Sequence, residues 1–332
     1  MKALAWALLL AAGISASAQA GSATGSDWAV TQRYAVGGEG GWDYLTLDPA
    51  SHRLFIARDD RVMVVDAHSG KLLAQIPGMR HAHGIALLPA QRRGYVSNGH
   101  GDDVSVIDLD ALKVVGRIAV SGKDPDAIIA DPANGHVLAM DARSNSISVI
   151  DPVAGKELAS IAVPGNPEFA VTDGHGNLFV NLEDKGQLVH VDLKAGKVAD
   201  VWPLAGCEGP TGLAYDLAAQ RLFSVCDNRV MLVVDARDGH PVAKLPIGKG
   251  PDAAAYDAAR HLVLSSNGDG SLTVVRQRDA DHYDVVANVP TQKSARTMAL
   301  DPQTHEVYLV AAKSAARGKP VEGFEVLVAA GK

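Results

Sequence analysis

The sequence predicts an all-β protein, a seven-bladed β-propeller of four-stranded blades, and three observations carry that prediction. A short segment rich in small residues recurs seven times, its period lies in the low forties, and no helical periodicity competes with the strands and turns between copies. The copies lead with Asp43, His83, Asp126, Glu168, Thr211, Asp252 and Arg296, so successive steps are 40, 43, 42, 43, 41 and 44 residues. A period of that length, filled with short strands, is what a four-stranded blade requires.

Each copy keeps one internal order. The first strand is exemplified by Asp43-Tyr44-Leu45-Thr46-Leu47-Asp48 and Thr211-Gly212-Leu213-Ala214-Tyr215-Asp216. Innermost strands crowd toward the axis of a ring, so Ala and Gly fit where Leu would clash. A turn such as Asp131-Pro132-Ala133-Asn134-Gly135 follows, then a second strand such as Gly94-Tyr95-Val96-Ser97 or Leu222-Phe223-Ser224-Val225. The third strand is an apolar run capped by Asp, as in residues 104–108 and 147–151. A turn of the form Asp-x-x-x-Gly-Lys (66–71, 151–156, 192–197) leads into the outer strand, giving consecutive hairpins. The aromatic content of 5% suits Val, Ile and Leu packing between blades.

The two ends of the chain complement each other. The last copy supplies strands at 296–301, 306–310 and 324–328 and stops one strand short. Residues 28–36 precede the first copy, have no inner strand of their own, and resemble the outer strand at 114–120. They are expected to complete the last blade and so leave no exposed edge.

The first residues read as an export signal. Lys2 is followed by the apolar run 5–14 and by Ala18-Gln19-Ala20, which predicts a signal peptide over 1–20 and a single propeller domain over 21–332. The run is too short to span a bilayer and no later stretch approaches about 20 apolar residues, so no membrane span is expected and a periplasmic monomer is. Removing the signal takes away one lysine and no acid, moving the net charge from −7 to −8. That balance argues against duplex nucleic acid or an anionic membrane as partner. Cys207 and Cys226 are the whole thiol inventory. An even count in an exported chain favours a disulfide, with two buried free thiols as the alternative. With a hairpin turn near Ala218-Ala219, Cys226 falls opposite Thr211, and a bend over 206–210 carries Cys207 back toward it.

Tyr95-Val96-Ser97-Asn98-Gly99 and the third strand Val104-Ser105-Val106-Ile107-Asp108 resemble the YVTN-repeat propellers, specifically the YncE-like exported proteins. The resemblance spans nearly all of the mature chain. It implies a seven-bladed ring and a binding role in the cell envelope, and it does not imply an enzyme.

The residues leading the inner strands belong, by blade geometry, at one mouth of the central channel. There Asp43, His83, Asp126, Glu168, Thr211, Asp252 and Arg296 gather four carboxylates, one imidazole and one guanidinium. Such a setting favours cation binding and shifted pKa values, although the same charges can also pair with one another and simply hydrate a funnel. His81 and His83 share a strand face, and His100 follows the neighbouring second strand. With Asp43 or Asp126 they offer donors for a divalent metal ion such as Zn²⁺ or Cu²⁺, the one cofactor the sequence suggests. Glu208-Gly209-Pro210 and Pro251-Asp252 resemble the Glu and Asp ligands of calcium-dependent lactonase propellers. That resemblance implies a second reading, a metal-dependent hydrolase using funnel carboxylates. The first reading is an envelope binding or interaction module whose partner at the mouth is a small molecule, a metal ion or an envelope protein. The chain has no Gly-x-Ser-x-Gly elbow, no P-loop and no Cys-x-x-Cys-His.

Overall fold

The fold is known from a computed structural model that describes residues 27–313 and 322–331. The predicted signal peptide, residues 1–20, lies outside the described residues. Apart from one short 3₁₀ turn, Pro89–Gln91, the described regular structure is antiparallel β.

Turn chemistry explains why the strands end where they do. After the third strand Ser146–Asp151, Asp151 Oδ1 accepts the backbone N–H groups of Val153 (2.8 Å) and Ala154 (2.9 Å), and Gly155 takes φ +64°. Asp192, with Lys194, Ala195 and Gly196, repeats the arrangement. The Asp side chain closes the turn and the glycine supplies the left-handed residue that lets the outer strand fold back.

Seven copies predict seven separate blades, whereas the strands form six sheets. Five sheets have four strands and the other has six. The six-stranded sheet contains the first two copies, because Arg53–Asp66 and Leu72–Leu88 each run through a turn without interruption. Residues 53–56 pair with Leu45–Asp48, residues 61–65 pair with residues 72–77, and residues 82–88 pair with Arg93–Asn98. Asp59 stands in register with Ala82 and joins the two copies.

The innermost strands follow one another round an axis. Leu45–Asp48 touches Leu72–Leu88, which is followed by Pro125–Ala130, Pro167–Thr172, Pro210–Asp216, Pro251–Asp257 and Met298–Leu300, and the last touches Leu45–Asp48 again. Their crowding is as the small residues predict. A Cβ on Gly212 would stand 2.6 Å from the Ala254 nitrogen, and one on Gly84 would stand 2.9 Å from Ile128 Cγ2.

The N-terminal strand Trp28–Ala35 pairs antiparallel with Glu325–Gly331, from Trp28 opposite Gly331 to Ala35 opposite Glu325. Arg58, fully buried, holds the segment that follows. Its guanidinium donates to the backbone carbonyls of Gly38, Glu39, Gly40 and Gly41 at 2.9–3.1 Å and lies 3.7 Å over the Phe324 ring. Gly38 and Gly40 take φ near +90°, which lets the chain curl round the side chain. Burial, followed by the nearby Arg61 charge, pushes the Arg58 pKa down to about 10.

Two second strands, Arg93–Asn98 and Leu262–Asn267, end in Asn. Asn98 Nδ2 donates to Ser105 Oγ at 2.8 Å, and Asn267 Nδ2 donates to Thr273 Oγ1 at 3.1 Å. At the matching position Asp141 accepts from Ser146 and Ser148, while its other oxygen is buried without a partner. Burial raises this carboxyl to about 7, against the hydrogen bonds from the two serines. The unfolded carboxyl titrates near 4, so folding takes up a proton between about pH 4 and 7 and stability falls as pH rises through that window. Asp141→Asn removes the charge and restores the amide used by its neighbours. It is expected to stabilise the protein by about 1–3 kcal/mol at pH 8 and to have no effect near pH 4. Thermal melts across this range check it, and a gain independent of pH would refute the electrostatic cause.

Candidate functional site

All seven residues expected at the mouth line one cavity of about 240 Å³. Asp43, His83, Asp126, Glu168, Thr211, Asp252 and Arg296 are joined there by Tyr44, Glu183 and Asp227. The inner strands bring the leading residues together because each enters the ring from the same side. Glu183 and Asp227 come from a second position of the repeat, the residue directly after the second strands Asn177–Leu182 and Arg221–Cys226. The corresponding residue of the second copy is Gly99, where a Cβ would lie 2.8 Å from His83 Nε2.

Six carboxylates thus face one guanidinium and one imidazole. His83 Nδ1 stands 2.7 Å from Asp43 Oδ2 and 3.5 Å from Asp126 Oδ1. Burial alone would depress the imidazole, but the Asp43 hydrogen bond and the Asp126, Asp43 and Asp124 charges outweigh it and raise it to about 9. Arg296 Nε approaches Asp252 Oδ2 to 3.1 Å, yet that buried oxygen has no aligned hydrogen bond. The Glu168 carboxylate makes no hydrogen bond or ion pair among the described residues. Burial and the neighbouring carboxylates push Glu168 and Asp252 well above the usual carboxylate range; for Asp252 the Arg296 charge opposes the rise. Thr211 has a structural task, since its hydroxyl donates to the Pro251 carbonyl at 2.9 Å.

Tyr44 forms the floor of this mouth. Its ring packs against Phe169 with centroids 5.3 Å apart, and its hydroxyl reaches toward the Asp252 carbonyl, 3.5 Å away. Beyond the floor lies an apolar cavity of about 390 Å³ whose walls include Leu45, Leu47, Ile85, Ile129, Phe169 and Met298. Nothing in the sequence reading anticipates this partition, because Tyr44 is the only large aromatic directly after a leading residue except Phe169, its partner.

The three predicted metal-binding histidines also lie together. His81 stacks on His100 with ring centroids 4.2 Å apart and meets His83 edge-on at 4.5 Å. His81 Nδ1 is engaged by Asp59 at 2.9 Å. The donor atoms that converge are those of Asp43, His83 and Asp126, which lie within 4.8 Å of one another. Asp252 of the lactonase-like pair lines the mouth. Glu208 is exposed and not among the lining residues, its backbone nitrogen bound to Asn228 Oδ1 at 3.2 Å.

Cys207 and Cys226 form a disulfide with Cα atoms 5.5 Å apart. Cys226 pairs with Pro210 rather than Thr211, because the register slips between Pro210 and Leu213. The bond fixes Gly206–Pro210 against the second strand, and the Asp227 nitrogen donates to the Glu208 carbonyl at 2.9 Å beside the mouth. With a sequence separation of 19 between the cysteines, the loop-entropy argument predicts that Cys207→Ala with Cys226→Ala costs about 3 kcal/mol. Denaturant melts of the oxidised parent and the double variant check it, and coincident curves would rule it out.

No family model matches the chain, and no curated protein sequence does. Among solved structures it is similar to a chain of Kuenenia stuttgartiensis hydrazine synthase, at 19% identity and TM-score 0.73, covering 82% of this chain and 93% of that one. It is also similar to the WD40 repeats of RRP9, at 9% identity and TM-score 0.77, covering 89% and 96%. At these identities the likeness shows the fold alone, a β-propeller of four-stranded antiparallel blades. No helix among the described residues is long and apolar enough to cross a membrane.

Proposed function

We propose that this protein is a binding module of the cell envelope that holds a small cationic ligand in the acidic mouth of its ring. The observation that carries the reading is the imbalance of charge in the cavity: six carboxylates against Arg296 and His83, with Glu168 unpaired. Raised carboxyl pKa values mark a site short of positive charge, and a cation entering it supplies what the chain does not. The cavity is large enough for a small ion or an alkylammonium group and too polar for an apolar body.

On this reading residues 1–20 direct export to the periplasm, residues 21–332 form one propeller, and the protein belongs with the YVTN-repeat, YncE-like propellers whose motifs it carries. Seven units are proposed, the six-stranded sheet being two of them run together. The seven leading residues round one cavity and the cyclic contact of the inner strands support that count. The pairing of Trp28–Ala35 with Glu325–Gly331 supports closure of the ring by the N-terminal strand, and the disulfide is consistent with export.

Calorimetric titration with 1,4-diaminobutane, with arginine-free acidic peptide as a like-charge control, tests the reading. The parent is expected to bind the diamine and not the peptide. Asp126→Asn with Glu168→Gln is expected to weaken diamine binding by at least about 30-fold with a melt no lower than the parent's, since loss of one partner of a desolvated charge pair costs about 2–5 kcal/mol. Parent-like affinity in the double variant would place the ligand elsewhere.

A further inference from the structure

We propose that Asp43, His83 and Asp126 form a site for one divalent first-row transition ion, at the edge of the acidic mouth. The proposal rests on the reading of that mouth as a cation site and names an ion for it. The geometry around His83 carries the inference. Asp43 Oδ2 and Asp126 Oδ1 both face the same ring nitrogen, Nδ1, at 2.7 and 3.5 Å. A nitrogen bearing one proton can direct it at one of them, and the Asp126 carboxylate has no other hydrogen bond or ion pair among the described residues. A metal ion in place of that proton serves all three donors, which already stand within 4.8 Å of one another.

A second observation points the same way. Asp252, 5% exposed and on the wall of the same cavity, carries a buried oxygen that Arg296 Nε approaches to 3.1 Å without making an aligned hydrogen bond, and Glu168 beside it has neither a hydrogen bond nor an ion pair among the described residues. The mouth therefore contains more acceptor capacity than the donors of this chain fill. One imidazole with two carboxylates is a mixed nitrogen and oxygen donor set, which suits Zn²⁺, Mn²⁺ or Co²⁺ better than the all-oxygen shell preferred by Ca²⁺. Three protein ligands would leave a further position facing the cavity, the arrangement that keeps a bound metal accessible to a small ligand. The other cluster of potential ligands, Asp235, Asp238 and His240, is different in kind, because Asp235 is already held by Arg221 and Arg237.

Tag-free protein stripped with a chelator and titrated with Co²⁺, followed by visible absorption and by competition with Zn²⁺, is the test. One equivalent is expected to bind, with d–d bands of a nitrogen- and oxygen-ligated ion of low coordination number, and Zn²⁺ is expected to displace it. His83→Gln is expected to weaken Co²⁺ binding at least 100-fold. Asp126→Asn, nearly the same shape, is expected to weaken Co²⁺ at least 10-fold, so the result does not depend on one variant folding. A spectrum that stays that of the hydrated ion, or His83→Gln binding as tightly as the parent, overturns the assignment. Diamine binding without metal binding removes the metal site alone, and loss of both removes the mouth as a cation site.

Discussion

A chain lacking residues 21–37 is expected to lose cooperative unfolding and to aggregate. Without Trp28–Ala35 the strand Glu325–Gly331 presents an open edge, and edges of that kind recruit other chains. Arg33 would no longer pair with Glu325 at 2.8 Å, nor would the Val36 and Gly37 nitrogens donate to the Phe324 carbonyl. Arg58→Met separates the strand from its latch. It keeps the strand but leaves the carbonyls of Gly38 to Gly41 without their donor, at about 1–3 kcal/mol for each that water cannot reach. Thermal melts followed by near-UV circular dichroism should show a broad transition for the truncation and a sharp, lower one for Arg58→Met. A truncated chain that melts like the parent would remove the N-terminal strand from the account of ring closure.

Gly212→Val is expected to abolish folding or to cost more than about 4 kcal/mol, near the top of the range for single substitutions. The first added carbon already meets the backbone of the neighbouring inner strand, at 2.6 Å from the Ala254 nitrogen and 2.7 Å from Ala253 Cα. Backbone in a paired strand cannot move aside as a flexible side chain can, so two strands would have to separate. Gly116→Val is the control. It lies in the outer strand Lys113–Ala119, where a Cβ meets only Val106 at 3.9 Å, and its melt is expected to stay close to the parent. Equal effects at the two positions would mean that crowding at the axis is not what selects small residues there.

Much of this was legible in the sequence because repetition converts one local pattern into a global one. Once Asp43, His83 and Asp126 are seen to lead equivalent strands, their convergence needs no further knowledge of packing. The same logic extends one step further than the leading residues: Glu183 and Asp227 follow equivalent second strands, and aligning that position would have found them. What repetition cannot show is the contact made once only. Arg58 reaches the loop between the chain's first strand and its first copy, a segment outside the repeat. Tyr44 crosses the channel to Phe169 because of side-chain lengths across an axis, not strand spacing. The blade count by sheets departs from the repeat count for a local reason as well, since two strands continue through turns that elsewhere break them. His81 and His100 show the limit of spacing arguments: both stand where expected, but stacking and Asp59 occupy them, and two carboxylates converge on His83 instead.

The measurement that meets the central claim most directly is anomalous diffraction from crystals grown in rubidium bromide, in which the cation and the anion are located separately. The account predicts rubidium in the cavity bounded by Asp126, Glu168 and Asp252 and no bromide there. Bromide in that cavity, or rubidium bound elsewhere on the protein with the mouth left empty, would contradict it.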